Sequence, residues 1–134
     1  MEHSYSPADR DFLKSSLEEL RTRVQALLRK GGDPLQQQGL SNLLSEVEQA
    51  GRALETGGEE GFSTKDLSTL YSAVYAQRRR IDQFLDTAMC PADKRDELIS
   101  AASAVNALLR RLRADLEERG ADAEGAAKKG TIAP

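Results

Sequence analysis

The sequence predicts an all-α protein, an antiparallel up-down-up-down four-helix bundle with a disordered C-terminal tail. Apolar residues recur at intervals of three and four in four long segments, the spacing of one face of a helix. Each segment is bounded by residues that commonly begin or end helices. No alternating run of β-branched and aromatic residues is long enough for a strand, and aromatic residues are only 4% of the 134.

The first helix is predicted at about 7–29. Ser6 can cap it, and Pro7 suits the first helical position because no amide donor is lost there. Gly31 and Gly32 then allow the left-handed residue that commonly ends a helix. The apolar face is formed by Leu13, Leu17, Leu20, Val24 and Leu27.

The second helix is predicted at about 35–56, after Asp33 and Pro34, which repeat the same type of helix start. Its apolar face is formed by Leu40, Leu43, Leu44, Val47, Ala50 and Leu54. Gly51 lies on that face, where a glycine costs about 1 kcal/mol relative to alanine. We therefore expect a neighbouring helix to approach closely at Gly51.

The third helix is predicted at about 64–89, with Ser63 or Thr64 as its cap. Its apolar face is formed by Leu67, Leu70, Val74, Ile81, Leu85 and Ala88 or Met89. The fourth is predicted at about 91–119, and its apolar face is formed by Leu98, Ala102, Val105, Leu109, Leu112 and Leu116. These helices make one domain, 1–120, followed by a disordered tail, 121–134, of small and polar residues.

The turn at Cys90-Pro91 leaves two architectures open. Short connections between long amphipathic helices favour antiparallel neighbours, which gives the bundle. The alternative joins the third and fourth helices into one bent rod of about 55 residues, because proline can kink a helix instead of ending it. Such a rod would favour a dimer.

Composition excludes several classes of protein. The 22 acidic and 19 basic residues give a net charge of −3, so nothing attracts the whole chain to nucleic acid or anionic membranes. The single cysteine cannot form an intrachain disulfide. No apolar run approaches the roughly 18 residues of a membrane span, and the N-terminus does not resemble a signal peptide. We therefore predict a cytoplasmic protein without membrane association.

The chain offers little for catalysis. Its single histidine is His3, close to the N-terminus, so histidine-dependent metal sites and nucleophile–base pairs cannot form within the helices. Each of the two Gly-Gly pairs follows a predicted helix, whereas a glycine-rich phosphate-binding loop precedes one. We predict no enzyme activity, no catalytic residue, no metal and no cofactor. An all-α enzyme with a polar pocket inside the bundle is a less favoured hypothesis.

Arg78 interrupts an apolar face. At 100° per residue it points inward, between Val74 and Ile81. Removing an unpaired cation from water costs several kcal/mol, so we expect Arg78 to run along the seam and pair with Asp82 or a neighbouring helix. The alternative is an anchor for the carboxylate of a binding partner.

The third and fourth helices also carry the residue types most enriched in binding hot spots, tyrosine and arginine. The predicted partner-binding residues are Tyr71, Tyr75, Arg78, Arg79, Arg80, Arg110, Arg111 and Arg113. The two tyrosines could instead cover the edge of the core, with only their hydroxyls in water. For the two arginine clusters, the favoured interpretation is a solvated helix face instead of one basic patch.

We therefore predict a non-enzymatic helical interaction module, an adaptor, chaperone or inhibitor of another protein, acting as a monomer or homodimer. In size, acidity, helicity and C-terminal tail the chain is similar to small helical export chaperones of flagellar and type III secretion systems, a likeness of composition. The alternative is an accessory factor of a nucleic-acid machine that uses the two basic clusters. The chain lacks the broad basic face of nucleic-acid-binding proteins, so nucleic acid is not the partner that we predict.

Overall fold

The computed structural model describes residues 5–56, 62–87, 91–121 and 125. The described residues form four α-helices, α1 (Pro7–Lys30), α2 (Pro34–Glu55), α3 (Thr64–Leu85) and α4 (Ala92–Glu118). No strand occurs in the described part of the chain. The prediction of an all-helical protein is confirmed.

Local hydrogen bonds set the starts of three helices. The hydroxyl of Ser6 accepts from the amide of Asp9, whose carboxylate accepts in return from the amide of Ser6, a capping box. Asp33 caps α2 in the same sense, and Ser63 caps α3. The fourth helix begins after Pro91 without a side-chain cap.

The third helix ends earlier than predicted, at Leu85 instead of residue 89. Both the amide and the hydroxyl of Thr87 donate to the carbonyl of Phe84, at 3.2 and 2.8 Å, and this closes the last turn. Helices α3 and α4 are two separate helices in contact with each other, so they do not form the single bent rod of the alternative. Residues 88–90, with Cys90, lie outside the described residues.

Helix α3 is the central element, because among the four described helices it is the one that packs closely against all the others. Nearly every side chain of its first part, residues 66–76, is buried, whichever side of the helix it lies on. We call residues 66–76 the buried half of α3 and residues 77–85 its open half. The main core surrounds the buried half and is completed by leucines and valines of the other helices, among them Leu13, Val24, Leu40, Val47, Leu112 and Leu116.

Gly51 does not mark a close approach of helices, so that prediction is wrong. A Cβ added at Gly51 would meet no atom within 4 Å. The residue instead lines an open groove of about 400 Å³ between α1 and α2. Most of the residues that line this groove are charged, among them Glu18 and Arg21 of α1 and Glu48 and Arg52 of α2.

The predicted tail, 121–134, lies outside the described residues except for Ala121 and Gly125. The amide of Ala121 donates to the carbonyl of Leu116 at 2.9 Å, and its side chain packs against the core. The division into a domain at 1–120 and a disordered tail stays a prediction.

Candidate interaction surface on α3 and α4

Tyr71 and Tyr75 lie one turn apart on α3, and their rings stack with centroids 6.2 Å apart. Tyr71 is buried, with 6% of its surface exposed, and belongs to the core. Tyr75 is half-buried and packs against the core from the edge. The part of this pair that a partner could contact is therefore Tyr75.

Arg78 is held within the chain. Its Nε lies 3.1 Å from a carboxylate oxygen of Asp82, one turn further along α3. Its Nη1 donates to the side-chain oxygen of Asn106 on α4. The guanidinium thus bridges two helices along their seam, and the predicted pairing with Asp82 is confirmed.

The next two arginines of α3 have different environments. Arg80 forms an ion pair with Glu19 of α1. Arg79 is exposed and makes no hydrogen bond or ion pair with any described residue. Because successive residues of a helix point about 100° apart, the run Arg78–Arg80 faces three directions and does not form one basic face.

The arginines of α4 divide in the same way. Arg113 pairs with Glu117 at 3.0 Å, and Arg111 pairs with Asp9 of α1 at 3.0 Å. Arg110 is exposed, and within the described part of the chain it has no hydrogen-bonding or ionic partner. Arg110 lies one turn after Asn106, about 6 Å further along α4 than the residue that Arg78 contacts.

One constellation was not predicted from the sequence. The hydroxyl of Tyr5 donates to the carboxylate of Asp115, both side chains are buried, and the Arg111 guanidinium lies 4.5 Å from the centre of the Tyr5 ring. Burial, and then the hydrogen bond to Asp115, raises the pKa of the Tyr5 hydroxyl well above its ordinary value. These contacts join residues more than a hundred positions apart, so no local pattern indicated them.

A second feature that the sequence analysis missed is the far end of the α3–α4 pair. Residues 77–87 and 91–104, which we call the hairpin end, include no fully buried side chain. Phe84 is 43% exposed and Ile99 is 51% exposed. A signal was available, because each adjoins a residue of the predicted apolar face, Leu85 or Leu98, and a doubled apolar position widens that face.

Two clefts lie away from α3 and α4. The groove between α1 and α2 is lined mainly by charged residues, and a second depression of about 560 Å³ lies along α1. Arg78 lines neither cleft. In the described ranges, no group of three or more histidine, cysteine, aspartate or glutamate side chains is placed to hold a metal ion. None of the described helices combines the length and apolar character needed to cross a bilayer.

Comparison with known proteins assigns no family to the chain. No protein-family model matches it, and no curated protein and no solved structure matches it significantly.

Proposed function

We propose that this chain is a non-enzymatic interaction module that binds another protein through α3 and α4. What supports the proposal is the pattern of charge pairing on the predicted surface. Four of its six arginines are engaged within the chain, by Asp82, Glu19, Asp9 and Glu117. Arg79 and Arg110 are exposed without such partners among the described residues, and the half-buried ring of Tyr75 lies one turn before Arg79.

This pattern suits a protein partner better than a nucleic acid. A nucleic-acid face gains affinity from many unpaired cations, because each neutralised phosphate releases counterions. Here most of the cations would first have to leave an intramolecular carboxylate. A protein surface needs only a few anchors, and arginine and tyrosine are typical of them. We therefore favour an adaptor, chaperone or inhibitor of a protein over the nucleic-acid alternative.

We propose as well that the helices follow the antiparallel up-down-up-down order. Two contacts support this order. Arg10, near the start of α1, donates to the carbonyl of Leu54 at the end of α2, at 3.3 Å. Arg95, near the start of α4, donates to the carbonyl of Leu85 at the end of α3, at 2.6 Å.

The experiment is quantitative affinity capture from native lysate, with and without nuclease. Three proteins are compared: the wild type, the double truncation Arg79→Ala with Arg110→Ala, and the control Arg29→Ala. Arg29 is an exposed arginine in the last turn of α1, and it does not belong to the proposed binding surface on α3 and α4. We expect one co-purifying protein that resists nuclease, is retained by the control and falls by roughly tenfold with the double truncation.

Two results would contradict the proposal. If the captured protein is lost after nuclease, the nucleic-acid alternative takes its place. If the double truncation and the control capture equal amounts, the surface on α3 and α4 is not the binding site. Thermal unfolding of all three proteins accompanies the experiment, because both truncated side chains are exposed and should change stability by less than about 0.5 kcal/mol.

A further inference from the structure

Helix α4 is attached differently from the other described helices. Helices α1, α2 and α3 each pack closely against both of the others, whereas α4 packs closely against α3 alone. Only the second part of α4 is anchored in the core, because its buried side chains all lie between residues 105 and 116 and residues 92–104 include none. Helices α1, α2 and α3 therefore form a three-helix unit, and α4 is docked on one side of it.

Two contacts from the start of α1 hold the second part of α4. The hydroxyl of Tyr5 donates to the carboxylate of Asp115, and Asp9 forms an ion pair with Arg111 at 3.0 Å. Arg111 and Asp115 are one turn apart on α4, so the two contacts lie side by side. We call these four residues the α4 latch.

Local structure fixes the position of Tyr5 in the α4 latch. Tyr5 directly precedes Ser6, and the capping box between Ser6 and Asp9 sets the direction in which the chain enters α1. Phe62 has the corresponding position before the cap of α3, and the rings of Tyr5 and Phe62 pack with their centroids 6.0 Å apart. On its other side, the Tyr5 ring lies 4.5 Å from the guanidinium of Arg111. Tyr5 is thus positioned by the starts of α1 and α3 and reaches across to α4.

The hydrogen bond of the α4 latch is of the strong type. Tyr5 is 5% exposed and Asp115 is 8% exposed, so the hydroxyl and the carboxylate meet away from water. A hydrogen bond to a charged group in such surroundings changes an equilibrium constant by roughly tenfold or more. Because α3 is the single close helical neighbour of α4 among the described helices, this bond is a substantial part of what holds α4 in place.

We propose that α4 opens as a unit of its own while α1, α2 and α3 stay folded, and that the α4 latch sets how often it opens. Proteins commonly open in cooperative segments, and segments with few buried contacts open at the lowest free energy. Opening separates Arg110 of α4 from Tyr75 and Arg79 of α3, so the α4 latch also determines whether the proposed binding surface is assembled. That consequence rests on the function proposed above, whereas the opening does not. The experiment contains no binding partner, so its failure and the failure of that function are distinguishable.

The test is hydrogen exchange of the full chain, read by mass spectrometry for residues 105–118 and 40–54. In the wild type we expect 105–118 to exchange faster and with a smaller dependence on added urea, because opening of α4 exposes less surface than global unfolding. Tyr5→Phe should speed the exchange of 105–118 by about tenfold. The matched control is Tyr75→Phe, whose lost hydroxyl makes no hydrogen bond with a described residue, and it should leave the exchange unchanged.

A second variant separates the opening of α4 from global unfolding. Val47 is 2% exposed on α2, a helix that does not pack closely against α4. The cavity left by Val47→Ala is present whether α4 is docked or open, so it does not favour the opening of α4. We therefore expect Val47→Ala to speed the exchange of 40–54 by at least about tenfold and to leave 105–118 unchanged.

Two results would overturn the proposal. Equal acceleration of both segments by Val47→Ala would show that α4 opens only when the whole chain unfolds. Unchanged exchange of 105–118 in Tyr5→Phe would show that the α4 latch does not hold α4. If a variant fails to fold, the wild type decides, because identical rates and urea dependences for the two segments would also refute a separate opening of α4.

Discussion

The two halves of α3 belong to one continuous helix and have opposite surroundings. In the buried half, residues 66–76, nine of eleven side chains are buried. In the open half, residues 77–85, none is buried. Helices α1, α2 and α4 all contact α3. The difference shows that burial can change sharply along one helix while its backbone hydrogen bonding continues unbroken.

Side-chain size and polarity explain the difference. The buried half contains Ser72, Ala73 and Ala76, which let neighbouring helices come near on several sides. Two of its buried hydroxyls are satisfied locally, because Thr69 and Ser72 donate to carbonyls one turn back, at 3.1 and 2.9 Å. The open half instead carries Arg78–Arg80, whose charged groups must stay in water or find carboxylates.

The largest expected effect uses one substitution in both halves. Leu70→Ala should cost about 3 kcal/mol, because Leu70 is fully buried and its loss leaves a cavity. Leu85→Ala should cost about 1 kcal/mol or less, because Leu85 is only half-buried. Urea unfolding at about 1 μM protein, to limit any self-association, gives both values. Equal losses would show that the two halves are equally well packed.

A smaller effect is expected from adding volume. Ala73→Leu should destabilise by about 1–3 kcal/mol, since Ala73 is buried among close neighbours. Ala101→Leu, on the exposed first part of α4, is the matched control and should change stability by less than about 0.5 kcal/mol. Thermal melting compares the two variants. If Ala73→Leu melts with the wild type, the buried half has room that the structure does not show.

The smallest expected effect concerns Tyr5. Its ring packs on the ring of Phe62, with the centroids 6.0 Å apart, and Phe62 precedes the buried half of α3 in the sequence. Tyr5→Phe removes the hydrogen bond to Asp115 and should cost about 1–2 kcal/mol at pH 7. Chemical unfolding of the wild type, Tyr5→Phe and Tyr75→Phe measures it. Tyr75 is the control because its hydroxyl makes no hydrogen bond with a described residue.

The same substitution has a pH signature. The folded-state pKa of Tyr5 is raised, so above about pH 10 the unfolded chain releases a proton that the folded chain keeps. Stability is therefore full below about pH 10 and falls as the pH rises beyond it. Tyr5→Phe should flatten this fall, and the profile is measured beside those of the wild type and Tyr75→Phe. An identical alkaline profile in all three proteins would contradict the assigned role of Tyr5.

Much of the fold could be predicted from the sequence, and the failures have a common cause. The starts of α1, α2 and α3 follow from capping residues that act within three positions. The periodic leucines and valines identify one inward face for each helix. That method assigns a helix a single buried face, so it could not find the burial of Ser72 and Ala76 on other sides of α3. For the same reason it predicted a close approach at Gly51 that does not occur.

The candidate surface was predictable by residue type and not by accessibility. The sequence identified Arg79 and Arg110, which remain exposed, together with Tyr71, which is buried. It could not tell them apart, because exposure depends on which neighbouring helix covers a given side. The partners of Arg80 and Arg111 are residues of α1, 61 and 102 positions away.

By itself the sequence determined four helices, three of their caps, and the apolar faces from which the core is built. These properties depend on interactions within one or two turns, which the order of residues specifies directly. Only the tertiary structure decided that α3 lies at the centre, that Tyr5 meets Asp115 and that the hairpin end is left uncovered. Each of these features depends on packing between residues that are far apart in the sequence. In such packing, the shape and charge of each neighbour determine which side chains lose contact with water.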